Sequence, residues 1–254
     1  MWQNFKTPEF IKKYSALLLF ILFFFTPSII FYFIIYILKL FQIKITIESD
    51  FNIFFIIYFE KIIFFLFLSL WIKKFYIQLS EHISFSDWHN SLPLGLLWAG
   101  LCYIIAVIPV NIIIYTSTYL NLPEQIQKLL FEGNVIVELF LEKGIFNNYF
   151  LTIFALILTC VLIPLQEEIL FRGFLFKFFQ DFFSNRMTIF ITAIIFGLFH
   201  APSIPNILFA FIIGIILGKL RITYQKLDVP ILVHGFVNTI SMILLIISNR
   251  LGLI

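Results

Sequence analysis

Charge is scarce in this sequence. Asp, Glu, Lys and Arg make up 12% of its 254 residues, against about 25% in soluble domains. With 61% hydrophobic residues and a mean hydropathy of +1.04, that shortage excludes a soluble domain and leaves a polytopic membrane protein. Cysteine is scarce too. Cys102 and Cys160 both lie inside apolar runs, where they read as core residues and not as a disulfide or a metal site. The helical zinc motif H-E-x-x-H does not occur. There is no internal repeat, no low-complexity linker and no sign of a second domain, so residues 1–254 are expected to form a single membrane domain. A cleavable signal peptide is not expected: the first apolar run, Tyr14–Leu38, is longer than an h-region and lacks a small-residue cleavage site. The net charge of +3 is small, and its placement in loops matters more than its sum. No nucleic-acid partner is expected.

What is abundant is apolar. The 36 Phe residues look like a compositional bias and carry no functional weight at this level. Long apolar runs predict an all-α helix bundle. Tyr14–Leu38 is the first span, with a kink expected at Pro27. Phe51–Ile72 is the second and holds Glu60 and Lys61, which project on different faces. A polar loop over Lys73–Ser91 holds His82 and His89, read as solvated. Leu92–Tyr119 is the third span. Asn121–Asn148 is polar, with four Glu against two Lys. Phe150–Phe179 is the fourth span, where Pro164 is expected to kink the helix and free backbone carbonyls. Met187–His200 is too short to cross alone: about 14 residues rise about 21 Å against a core of about 30 Å. Pro202 and Pro205 break the chain, Ile207–Gly218 follows, then a basic loop over Lys219–Asp228. Val229–Ser248 is the last span. Seven crossings from a cytoplasmic N-terminus put Lys73/Lys74, Lys177/Arg186 and Lys219/Arg221/Lys226 inside, and the acidic Asn121–Asn148 loop outside. An eighth helix arises if the fourth span breaks at Pro164. The expected location is the cell membrane.

One stretch needs a chemical reason. Glu167 and Glu168 end the apolar run Tyr149–Leu165, and an ionised side chain at membrane depth costs roughly 3 kcal/mol or more. Glu168 and Arg172 are four apart and share a helix face, so they can pair. Glu167 points about 100° away and has no local cation. One carboxylate would be structural and the other available for chemistry; the simpler alternative is a salt bridge near the interface.

Two further segments bring polar groups to similar depth. Phe196…His200 ends a short helix, where His200 alone reads more readily as an interfacial histidine or a helix C-terminal cap than as a catalyst. His234 and Asn238 are four apart on the last span, where an interhelical hydrogen-bond pair is the simpler reading. Counted from the nearest cytoplasmic loop at about 1.5 Å per residue, Glu167 lies roughly 15 Å deep, His200 roughly 20 Å, His234 roughly 8 Å and Asn238 roughly 14 Å. Polar groups within a membrane normally face each other or water. A carboxylate beside a histidine can deprotonate water, and a second histidine with a carboxamide can stabilise an oxyanion. Gly197 and the Gly214-x-x-x-Gly218 pair have a packing role and no chemistry.

E-E-x-x-x-R, F-x-x-x-H and H-x-x-x-N, in this order on successive membrane helices, resemble the CPBP family of type II CAAX prenyl proteases, Abi proteins and bacteriocin-immunity proteins. The motifs are Glu167-Glu168…Arg172, Phe196…His200 and His234…Asn238, and the resemblance covers about residues 152–248. It implies an eight-helix bundle with a conical intramembrane cavity, and an endopeptidase acting on a membrane-associated or lipidated peptide. Glu167 would be the general base, helped by His200. His234 and Asn238 would stabilise the oxyanion, and Glu168 and Arg172 would support the site. Members of the family are often labelled metalloproteases. A zinc site would draw on Glu167 or Glu168, His200 and His234, with Asn an uncommon ligand. The expectation is a metal-free glutamate mechanism with no cofactor. Two alternatives from other classes are a non-catalytic immunity or Abi-type membrane protein and a transporter using these groups as a proton path. The transporter should show paired broken helices in repeated halves, which this sequence does not.

Overall fold

A computed structural model describes residues 88–120, 122, 123, 126, 149–201 and 203–252. The first two expected spans, with Pro27 and Glu60, lie outside the described residues, as do His82 and most of the acidic loop. The described residues are helical, with no strand among them. We number the helices α1 (Trp88–Tyr119), α2 (Tyr149–Gln180), α3 (Asn185–Leu198), α4 (Ile204–Tyr224) and α5 (Asp228–Arg250). Four of them, all but α3, are long and apolar enough to cross a membrane. Large apolar side chains such as Leu97, Ile104, Ile112 and Tyr115 are exposed, as a helix facing lipid requires.

Several boundaries differ from the sequence reading. Helix α1 begins at Trp88, so His89, expected in a polar loop, lies in its first turn. Helix α4 runs through Lys219 and Arg221 to Tyr224, where a basic loop was expected. Basic residues suit the last turn of a helix because they face its negative end. Gln225 then ends α4 with a left-handed backbone, φ 53°. Helix α2 is not broken at Pro164, so the extra helix that a break would create does not form. The helix instead passes through two π-helical segments, Leu158–Leu162 and Ile169–Leu175, on either side of Ile163–Glu168.

The short α3 has clear local causes. Ser184 caps its start by accepting from the Met187 N–H, and the chain turns at Phe199 and His200. Helix α4 restarts with Pro205 in its first turn, where the missing N–H costs nothing. The α3–α4 seam depends on small residues. A Cβ on Gly197 would lie 2.9 Å from the Ile207 carbonyl oxygen. One on Gly214 would lie 3.1 Å from the Ala193 backbone, and one on Gly218 would lie 3.2 Å from Ile189. The glycines expected to pack do pack, and both members of the Gly-x-x-x-Gly pair face α3. On the other side, Ala99, Cys102 and Ala106 of α1 meet Ile213 and Leu217 of α4 and Val233 and Val237 of α5. Cys102 is a buried core residue, and neither it nor Cys160 forms a disulfide.

Candidate active site

The double glutamate sits where α2 changes helical form, and the π turns explain how other helices reach it. In the first, the Ile163 N–H donates to the Leu158 carbonyl, five residues back. The Thr159 carbonyl thereby loses its usual α-helical donor, and Asn238 Nδ2 of α5 donates to it at 2.9 Å. Pro164 has no N–H to offer the Cys160 carbonyl. A Cβ on Gly235 would lie 2.6 Å from that oxygen, so only glycine lets α5 come this close. In the second π turn, the Phe176 N–H donates to the Phe171 carbonyl. The Arg172 carbonyl loses its usual donor in the same way, and Arg221 Nε of α4 donates to it at 3.3 Å. The Thr159 and Arg172 carbonyls are each met by a side chain from another helix.

Within this frame the two carboxylates differ. Glu168 and Arg172 are fully buried and paired, with Arg172 Nη1 donating to Glu168 Oε1 at 2.8 Å. The spacing of four predicted this pair. The spacing did not predict the rest of the arrangement. Arg172 Nη2 also donates to the Gly214 carbonyl of α4 at 3.2 Å. His234 Nδ1 lies 2.9 Å from the same Glu168 oxygen. A carboxylate paired with Arg172 can only accept there, so Nδ1 carries the hydrogen. Glu168 thus joins α2 to α5 through His234, and Arg172 joins α2 to α4.

Glu167 is 24% exposed, and its Oε2 lies 3.8 Å from His234 Nε2. That oxygen has no hydrogen-bond partner among the described residues. One imidazole therefore bridges the pair, held by Glu168 at one nitrogen and facing Glu167 with the other.

His200 is half-buried at the turn after α3. Its Nδ1 lies 2.8 Å from the Phe196 carbonyl. A carbonyl only accepts, so Nδ1 carries the hydrogen and Nε2 of the neutral ring keeps its lone pair. The helix-cap reading of His200 is correct, and the cap leaves Nε2 uncommitted. Among the described residues, His200 makes no hydrogen bond or ion pair with either glutamate. It approaches the cluster through Phe196: the Phe196 ring is 4.8 Å from the His200 ring and 5.6 Å from the His234 ring. The interhelical hydrogen-bond reading of His234 and Asn238 also holds, since each binds α2. No group of three or more His, Cys, Asp or Glu residues suited to a metal ion occurs among the described residues.

Residues 149–240 match the family model described as type II CAAX prenyl endopeptidase Rce1-like. This is the family that the ordered motifs resembled, and the matched segment contains Glu167, Glu168, Arg172, His200, His234 and Asn238. It spans all of α2, α3 and α4 and the site-bearing part of α5. No curated protein and no solved structure gives a significant match to the chain. Sequence reasoning missed Thr159, Gly214, Arg221 and the ring of Phe196 as parts of the site. Three of the four act through a backbone carbonyl or against one, which side-chain type does not reveal. Phe196 was visible only as a letter in F-x-x-x-H.

Proposed function

We propose that this protein is an intramembrane endopeptidase of the CAAX-protease type, hydrolysing a peptide bond in a membrane-associated or lipidated substrate. The supporting observation is the asymmetry of the two carboxylates around His234. Glu168 has no exposed side-chain surface and its Oε1 is shared by Arg172 and His234, whereas Glu167 is 24% exposed and faces Nε2 of the same imidazole across 3.8 Å. Glu167 takes a proton from a water molecule, and the resulting hydroxide adds to the scissile carbonyl carbon. His200 Nε2 accepts from the same water. His234 in its imidazolium form donates from Nε2 to the developing oxyanion, and so does the second N–H of Asn238. The C–N bond then breaks, and the proton held by Glu167 passes to the leaving amine. Glu168 and Arg172 hold His234 in place.

The reading includes a single membrane domain of about seven to eight helices with a conical intramembrane cavity. The N-terminus is cytoplasmic and the location is the cell membrane. The mechanism in this reading is metal-free. Cleavage of a reporter peptide by protein reconstituted in vesicles tests the proposal. Glu167→Gln and His200→Ala should each lower the rate about a hundred- to ten-thousandfold; full activity in both would end the enzyme reading. A non-catalytic Abi or immunity protein with the same fold would instead protect cells equally well with Glu167→Gln. Treatment with chelator should leave the rate unchanged, and loss restored by zinc would overturn the metal-free mechanism.

A further inference from the structure

We infer that Phe196 is a positioning residue whose ring electrons, and not merely its volume, hold Arg172 and both imidazoles in register. This rests on the endopeptidase reading for its effect on rate. Phe196 is 1% exposed and lies at the centre of the site. The Arg172 guanidinium carbon is 4.4 Å from its ring centroid, well inside the range of a cation–π contact. The His234 ring meets it nearly edge-on at 82°, and the His200 ring lies at 55°. Phe171 closes another side at 5.0 Å and 86°. The backbone of the same residue orients His200 through its carbonyl. Phe196 is therefore in contact with Arg172, His200 and His234 together.

The need for ring electrons follows from the state of Arg172. Its Nε is buried and has no hydrogen-bond partner among the described residues. Part of its charge is met by Glu168 and Gly214; the negative face of an aromatic ring meets more, and a buried site makes that attraction stronger. Arg172 fixes Glu168, Glu168 fixes His234, and His234 faces Glu167. An aliphatic residue of similar size would fill the space but leave the guanidinium only Glu168, the Gly214 carbonyl and the more distant Phe171 ring at 5.8 Å.

The test is to insert mono-, di- and trifluorophenylalanine at position 196 of the full chain in vesicles, with Phe196→Leu alongside. Fluorine drains the ring face of negative potential while nearly keeping its shape. The expected result is a stepwise fall in kcat, reaching about tenfold with three fluorines, with KM unchanged. A flat fluorine series overturns the inference, including the case in which Phe196→Leu alone is inactive and the ring is only a filler. Should the unmodified protein fail to cleave any peptide, the endopeptidase reading falls. The inference is then judged by thermal unfolding of the same series: a stepwise lowering of the midpoint supports it, and a constant midpoint overturns it.

Discussion

Glu167 and Glu168 are neighbours in the chain and opposites in the fold. Glu168 has no exposed side-chain surface and accepts from both Arg172 and His234. Glu167 is partly open, and its nearest described cation or imidazole is His234 at 3.8 Å. A helix turns about 100° per residue, so one step along α2 moves a carboxylate from the seam with α4 and α5 to the edge of a partly open site. A buried ion pair is weak evidence for stability on its own. Here its value is geometric: it fixes the imidazole that the other carboxylate faces. The proposed hydrolytic reading needs one immobile acid and one more accessible acid, and a dipeptide on a helix supplies both.

The comparison can be broken at several points. Glu168→Ala should have the largest effect. It leaves Arg172 buried without its carboxylate and releases His234, with an expected loss of about 3–5 kcal/mol in thermal or denaturant unfolding of the detergent-purified protein. An unchanged midpoint would mean that the buried pair holds nothing together. Gly235→Ala comes next. Its methyl group would press on the Cys160 backbone oxygen, which cannot swing away as a side chain can, and overpacking of this kind costs about 1–3 kcal/mol. Because His234 is the adjacent residue, peptidase activity should fall with stability, and a stable but fully active variant would contradict the close approach of α5 to the π turn. Asn238→Ala removes a donor from the Thr159 carbonyl and should cost about 1 kcal/mol, read in the same unfolding experiment. Glu167→Gln sharpens the contrast most. It should alter stability by less than about 0.5 kcal/mol, as expected of a position outside a buried network, while the cleavage assay shows the loss described above. A destabilisation as large as that of Glu168→Ala would erase the distinction between the two acids.

Local rules carried far in this chain. The Glu168–Arg172 pair follows from a spacing of four. The glycines at 197, 214 and 218 were legible as close-packing sites, and the cap at His200 was legible from its place at a helix end. The nominal depths also brought Glu167 and His234 to one region, although rise per residue could not say that they touch. Pro164 was legible as a disturbance, but its form was not. Whether a proline breaks a helix or shifts it into a π turn depends on what waits to receive the displaced carbonyls. Those receivers, Gly235 and Asn238, lie 75 and 79 residues away along the chain from Cys160 and Thr159.

The amino-acid order alone determined that this is a helical membrane protein and which polar residues ride on its helices, because hydropathy and the 3.6-residue period act within a few turns. Only the tertiary structure decided that His234 stands between the two glutamates and that Phe196, one phenylalanine among 36, touches Arg172 and both imidazoles. Such choices depend on the register and rotation of one helix against another. Those are set by contacts between distant glycines, carbonyls and rings, which no local period encodes.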